Sequence, residues 1–212
     1  TTSAKVEAAA AESKAAESIG PAKVAFSDAT ISLVPERGDS EGAIAAKRGA
    51  TRETQNGVLL ALDSTTLATR ASVALIDPNL GGPARLSDDG TATPVIGPDG
   101  RVFYGVLERT FGTHNARGWL LQFDASLNPV GVPGSFGWDV SPSVIPASMV
   151  PSYTGTSSYL LAQKYNNYAG VGTGTGLNQL AVLDPGASQA DTITPTVQVM
   201  REVLAILGRT LD

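Results

Sequence analysis

Gly57-Val-Leu-Leu-Ala-Leu-Asp63 recurs twice, as Gly118-Trp-Leu-Leu-Gln-Phe-Asp124 and as Asn178-Gln-Leu-Ala-Val-Leu-Asp184. The copies begin 61 and 60 residues apart (118 − 57 and 178 − 118). Each is an apolar run of strand length that closes on Asp. A short apolar strand returning at a near-constant period marks a repeat architecture. Because nearly every residue in it is apolar, the strand is expected to be covered on both faces.

The sequence around each copy reads as further strands and turns. After Gly57–Asp63, Ser64-Thr65-Thr66 is turn chemistry and Ala68–Ile76 is the next strand. A loop from Pro78 to Asp89 leads to a strand at Thr91–Ile96, the tight turn Gly97-Pro98-Asp99-Gly100 and a strand at Arg101–Leu107. Gly118–Asp124 and Asn128–Val132 then form a hairpin. The next round has Ser141–Pro146, Tyr159–Lys164, a Gly-rich loop at 169–176, Asn178–Asp184 and Val197–Ile206. That last stretch also fits helical spacing, but it fills the slot of a strand.

Upstream, 22–34 reads as two short strands around Ser27-Asp28, and 35–56 as a long exposed loop whose basic residues are solvated. Residues 1–20 are rich in Ala, Glu and Lys and read as a weakly packing helix or arm, capped by Ser3 and stopped by Gly20-Pro21. Ile19-Gly20-Pro21 before Val24 and Phe26 echoes Ile96-Gly97-Pro98 before Val102 and Phe103, so a remnant of another unit is expected there.

Each unit therefore has four strands, a to d. Strand a carries Thr93-Pro94 or Ser141-Pro142, and strand c ends in Asp. Four-stranded antiparallel sheets repeated radially make a β-propeller, which protects its strand edges. The expectation is an all-β chain. An N-terminal Ala-rich helix or arm at 1–21 precedes a partial propeller at 22–212, with blade boundaries near 90 and 140. It holds about two and a half to three blades, short of the four to eight of a closed ring. The chain is then a fragment, an open stack with a capped edge, or one part of a homo-oligomer that completes the ring. A sandwich or solenoid is the other architecture the pattern allows.

Composition narrows the function classes. The net charge is −5 and no basic cluster exceeds Lys47-Arg48, which argues against nucleic acid and anionic membrane surfaces. No run of 18 apolar residues occurs, so no membrane insertion is expected. The N-terminus has no apolar signal core, so any export signal is expected to be removed already or never to have existed. Cys is absent, which excludes thiol catalysis and disulfides and leaves the compartment open.

Leu60-Ala61-Leu62-Asp63 followed by Thr66 resembles the repeat of pyrroloquinoline-quinone-type propellers. In that repeat a Gly stands where this chain has Leu67, and a Trp follows; no copy here has that Trp. The stretch 87–184 also resembles bacterial propeller proteins without an assigned activity. It does so through Asp88-Asp89-Gly90-Thr91, Gly137-Trp138-Asp139 and Lys164-Tyr165-Asn166-Asn167-Tyr168. These resemblances imply a propeller fold and an exported, periplasmic or secreted, location. Pyrroloquinoline quinone with calcium would be the cofactors a complete quinoprotein ring brings; for this short chain none is expected.

In an up-and-down blade the d–a and b–c connections share one end, and here those are the long loops. That end gathers Asp88, Asp89, Arg109, His114, Asn115, Arg117, Trp138, Asp139, Tyr165, Asn166, Asn167 and Tyr168. Aromatic rings beside Asn and Asp suit a glycan or a peptide. The structural reading of the same residues is that they close their own loops. Asp88 and Asp89 form a carboxylate pair or a calcium ligand set only if the backbone bends, because neighbours on a strand point apart. His114 is the single His, which excludes a multi-His metal site within the chain. Gly170–Gly176 lies before a strand and fails the helix test of a phosphate loop. No catalytic set emerges. The expected function is a non-enzymatic domain that binds a protein or glycan through the long-loop end. The alternatives are a quinoprotein-like oxidoreductase, a propeller hydrolase or lyase using Asp88, Asp139 and His114, and a fragment without independent function.

Overall fold

The structure is a computed structural model. It describes the strands at 23–26, 29–32 and 42–48, and residues 57–86, 92–108, 118–136, 141–165 and 179–207. The expected arm at 1–21 lies outside these residues.

Among the described residues, thirteen strands form three antiparallel sheets, each a meander in chain order. The first holds β1 (Lys23–Phe26), β2 (Ala29–Ser32), β3 (Gly42–Arg48), β4 (Gly57–Asp63) and β5 (Thr69–Ala74). The second holds β6 (Val95–Ile96), β7 (Val102–Leu107), β8 (Gly118–Phe123) and β9 (Gly134–Ser135). The third holds β10 (Ser143–Pro146), β11 (Tyr159–Tyr165), β12 (Gln179–Ala190) and β13 (Gln198–Leu207). The described residues contain no α-helix, only a 3₁₀ turn at Ala147–Met149. The described residues are all-β, and the stretch expected as the last strand, Val197–Ile206, is strand β13 at Gln198–Leu207, as its slot in the repeat required.

The three repeated segments are β4, β8 and β12, and their side chains alternate with one consistent sense. The third residue of the first two copies points to the following sheet: Leu59 packs with Val102, Tyr104 and Trp119 of the second sheet, and Leu120 packs with Tyr159 and Leu161 of the third. The fourth and sixth point back: Leu121 and Phe123 join Leu59, while Ala181 and Leu183 join Leu120. A strand period of two, kept over three copies, thus stacks the sheets face to face. The middle sheet is covered on both sides, and every residue of β7 and β8 is buried. Each large side chain withdrawn from water there contributes about 1.5–3 kcal/mol.

Polar contacts fix the second sheet to the third. The Thr93 N–H donates to Ser141 Oγ at 2.7 Å, so the two residues ahead of the expected strand-a prolines meet across the interface. Tyr159 Oη donates to Asp99 Oδ1 at 2.8 Å, and its ring lies edge-on to Phe103 with centroids 6.3 Å apart. Arg101 Nη1 donates to the Pro185 carbonyl at 3.0 Å, and Ser135 Oγ to Asp191 at 2.6 Å. A methyl group added at Gly134 would meet Leu120 Cβ at 3.0 Å and Leu183 Cδ1 at 3.1 Å. The sheets therefore approach closely where Leu120 and Leu183 face each other.

Five expectations are corrected. Residues 35–56 are not all loop: β3 pairs with β4 along its whole length, from Gly42↔Asp63 to Arg48↔Gly57. Gly-Ala-Ile-Ala-Ala-Lys-Arg has one β-branched residue and hides its strand character until β2 and β4 flank it. The first sheet has five strands, not four, because β1 and β2 join it and are not the remnant of a separate unit. Asn128–Val132 folds back on β8 as expected, but through the single bridge Phe123↔Pro129 and not as a strand. Pro129 and Pro133 lack the donors a ladder needs and Gly131 sits at φ +61°, so β9 shrinks to Gly134–Ser135. Likewise the strand expected at Thr91–Ile96, of which Thr91 lies outside the described residues, is seen only at Val95–Ile96, behind Pro94. The last copy does not end at Asp184: β12 runs on to Ala190 through a bulge between Asp184 and Ser188.

The Asp-closed turns have a common basis. Asp63 Oδ1 accepts the N–H groups of Thr65 (3.0 Å) and Thr66 (2.8 Å). Asp124 Oδ1 accepts those of Ser126 and Asn128, both at 2.8 Å. Both turns then place Leu in the left-handed region, Leu67 at φ +58° and Leu127 at φ +62°. Leu67 is 49 % exposed, so it gains little from burial. A β-carbon in that region costs about 1–2 kcal/mol. Leu67→Gly is expected to raise stability by about 0.5–1 kcal/mol after the extra backbone entropy of Gly. A urea midpoint that falls would contradict this.

Candidate functional site

In each meander, alternate connections leave at the same end. At one end of the second and third sheets are the β7–β8, β9–β10 and β11–β12 connections, the long loops of the sequence reading. Asp88, Asp89, Arg109, His114, Asn115, Arg117, Trp138, Asp139, Asn166, Asn167 and Tyr168 all lie outside the described residues. Tyr165 is the last residue of β11 and pairs with Gln179. The structure thus describes the strand ends that carry this set, and not the mutual geometry of its side chains.

Beneath those connections is a polar floor that the sequence reading missed. Arg85 and Leu107 exchange backbone hydrogen bonds at 3.1 and 2.8 Å, which ties the β5–β6 connection to the end of β7. Buried Asp77 accepts the Asn79 N–H at 2.8 Å, and Asn79 Nδ2 donates to buried Glu108 at 2.6 Å. Phe136 is buried at φ +107°, a conformation that is costly for a bulky side chain, and its N–H donates to the Gly118 carbonyl at 3.0 Å. Gln163, on β11, donates Nε2 to the Phe136 carbonyl at 3.1 Å, and its buried Oε1 accepts no hydrogen bond. The β5–β6 connection, β7, β8, β9 and β11 converge on this floor. Asp77-Pro78-Asn79 is a readable turn signature; the burial of Glu108 and Gln163 depends on sheet stacking and leaves no local signal.

At the opposite end the repeat carboxylates hold structure. Asp63 also accepts Thr66 Oγ1 at 2.9 Å and Arg70 Nη2 at 2.7 Å. The Thr66 N–H and the Arg70 guanidinium are the largest of the contacts that hold its carboxyl far below the usual carboxylate range. Asp124 is lowered chiefly by the Asn128 side-chain amide, 2.8 Å from Oδ2. The third copy departs from this pattern. Burial pushes Asp184 up, but Ser157 Oγ at 2.6 Å, Tyr153 Oη at 2.8 Å, the Gly186 N–H at 2.9 Å and the charge of Arg201 outweigh it, and the net shift is downward. Asp184 therefore organises the β10–β11 connection rather than a tight turn of its own. Carboxylates held this way are ionised hydrogen-bond hubs and not proton-transfer groups near neutral pH.

An apolar pocket of about 210 Å³ lies between the end of β5 and the β8–β9 connection, lined by Ile76, Pro78, Phe123, Pro129 and Pro133 among others. Its polar member, Gln122, is engaged with the Val132 carbonyl at 2.6 Å. Among the described residues no three His, Cys, Asp or Glu side chains are grouped to hold a metal ion, and no helix is long and apolar enough to cross a membrane.

Comparison of the chain with protein-family models, with curated proteins and with solved structures finds no match.

Proposed function

We propose that the three sheets are propeller-type blades of a non-enzymatic binding or scaffold domain, which takes a protein or glycan ligand at the long-connection end. The observation that carries this reading is the consistent stacking sense of β4, β8 and β12, and it is supported by the long connections that share one end of the second and third sheets. Loops on a rigid scaffold are the usual seat of recognition. The strained Phe136 and the unpartnered Gln163 Oε1 lie at that same end and support it. The repeat carboxylates are spent on turns and on the β10–β11 connection, which favours binding over acid–base chemistry.

The test is binding of the purified chain to a glycan array and a peptide library, compared with Trp138→Ala and Tyr165→Ala. Both variants are expected to lose at least tenfold in affinity, about 1.4 kcal/mol, for the ligand so found, with melting unchanged. Undiminished binding by both would contradict the proposal.

A further inference from the structure

We infer that the outer edge of β5 binds an extended peptide segment of a partner protein, which adds a sixth strand to the first sheet and seats one apolar side chain in the pocket beside it. Hydrogen-bond direction carries the first half of the argument. In an antiparallel strand the N–H and C=O of one residue point to the same side, and those of its neighbours point to the other. The Leu75 N–H donates to the Gly57 carbonyl at 2.9 Å, and the Leu75 carbonyl accepts the Ala84 N–H at 2.8 Å. The Asp77 N–H donates to the Gly82 carbonyl at 2.8 Å. Leu75 and Asp77 therefore face into the sheet, while Ser72, Ala74 and Ile76 turn their backbone groups outward. Among the described residues β5 is the last strand of its sheet and pairs only with β4.

The stretch that presents this edge, Ala71-Ser-Val-Ala-Leu-Ile76, has no charge and no proline, the devices that keep other edges from pairing. The last strand of the second sheet differs. Pro129 and Pro133 interrupt it, and the Pro133 carbonyl accepts the Met200 N–H of β13 at 2.8 Å. The apolar pocket of about 210 Å³ lies against that interruption. Ala74 and Ile76, two of the outward-facing residues, line it together with Leu121, Phe123, Pro129 and Pro133. Free hydrogen-bonding groups and a side-chain pocket thus meet at the same two residues. An apolar cavity of about 150 Å³ takes a benzene ring, so this pocket has room for a single Leu- or Phe-sized side chain. Ile76, 44 % exposed, would be covered by it. In strand addition of this kind the main-chain bonds give affinity and the pocket gives selectivity. The site uses none of the loop residues named for the long-connection end and does not rest on that reading.

The test is selection from a displayed library of random seven-residue peptides against the full chain. Enriched peptides should carry one Leu, Ile, Met or Phe among β-forming residues. Ala74→Pro should weaken their binding at least tenfold with melting unchanged, because it removes an outward N–H that the β4 ladder does not use. Trp138→Ala should leave the same binding within twofold. On the wild-type chain, N-methylation of a synthetic copy at alternate residues should cost at least tenfold, and at the residues between them less than twofold, the signature of an added strand. No enrichment, binding that Ala74→Pro leaves unchanged, or N-methyl losses without alternation overturn the inference. A dimer in light scattering that Ala74→Pro dissociates assigns the edge to a second copy and overturns it too. Peptides lost only in Trp138→Ala remove this inference and keep the proposed function; peptides lost only in Ala74→Pro do the reverse.

Discussion

Asp184→Ala will destabilise the protein by about 2–4 kcal/mol, because a buried carboxylate that collects several hydrogen bonds is replaced by a group that accepts none. Asp184 is 1 % exposed and receives Tyr153 Oη, Ser157 Oγ, the Gly186 N–H and Arg201. Without it, two hydroxyl donors from the β10–β11 connection lose their partner inside a packed region. That connection covers Leu160 and Val182 through Ala147, Val150 and Tyr153, so it should open and expose apolar surface. Denaturant melts should show a lower midpoint. Asp124→Ala, at an exposed turn, should cost much less; equal losses would contradict the assignment.

The same residue sets part of the acid limit. Asp63, Asp124 and Asp184 all have carboxyls below their ordinary value in the folded chain. Their contribution to stability is therefore complete above the unfolded value, about 3.9, and is lost as pH falls below it through the folded values. Glu202 acts in the opposite sense: burial raises its carboxyl, so its contribution is greatest at low pH and fades as pH rises through the raised value. The wild type should lose stability steeply below about pH 4, and Asp184→Ala should show a shallower slope there.

Trp119→Ala should cost about 3–5 kcal/mol, the range for deleting a fully buried large aromatic ring. Trp119 is 0 % exposed in the core between the first and second sheets, with Leu59, Leu75, Val106 and Val199 in the same cluster. The cavity would lie where two sheets meet, so both lose packing at once. Trp119→Phe should recover more than half of the loss. A loss under 1 kcal/mol for the alanine variant would mean that the sheets do not share this core.

Much of the fold was legible because period and turn chemistry are local. The recurring Asp-ended strand located β4, β8 and β12, and Gly97-Pro98-Asp99-Gly100 located the β6–β7 turn, where Gly100 sits at φ +81°. What was illegible depends on partners far along the chain. Ala-rich β3 is a strand because β4 flanks it. β12 continues past Pro185 because Ser188–Ala190 find a ladder on β13. Asp184 could not be told from Asp63 and Asp124 by sequence, since its partners Tyr153 and Ser157 come from a different connection. The buried polar groups Asp77, Glu108 and Gln163 were passed over for a related reason. Stacking of the sheets, and not local composition, withdraws them from water. The loop residues named for recognition rest on chemistry of type alone: rings for stacking, amides for hydrogen bonds.

The most direct test of the stacked-blade account is a set of nuclear Overhauser contacts between the second and third sheets in solution. The Phe103 and Tyr159 rings, with centroids 6.3 Å apart, and the Leu120 and Leu183 methyl groups should give strong cross-peaks. Contacts confined within each sheet, with none between these pairs, would show three independent meanders and contradict the account.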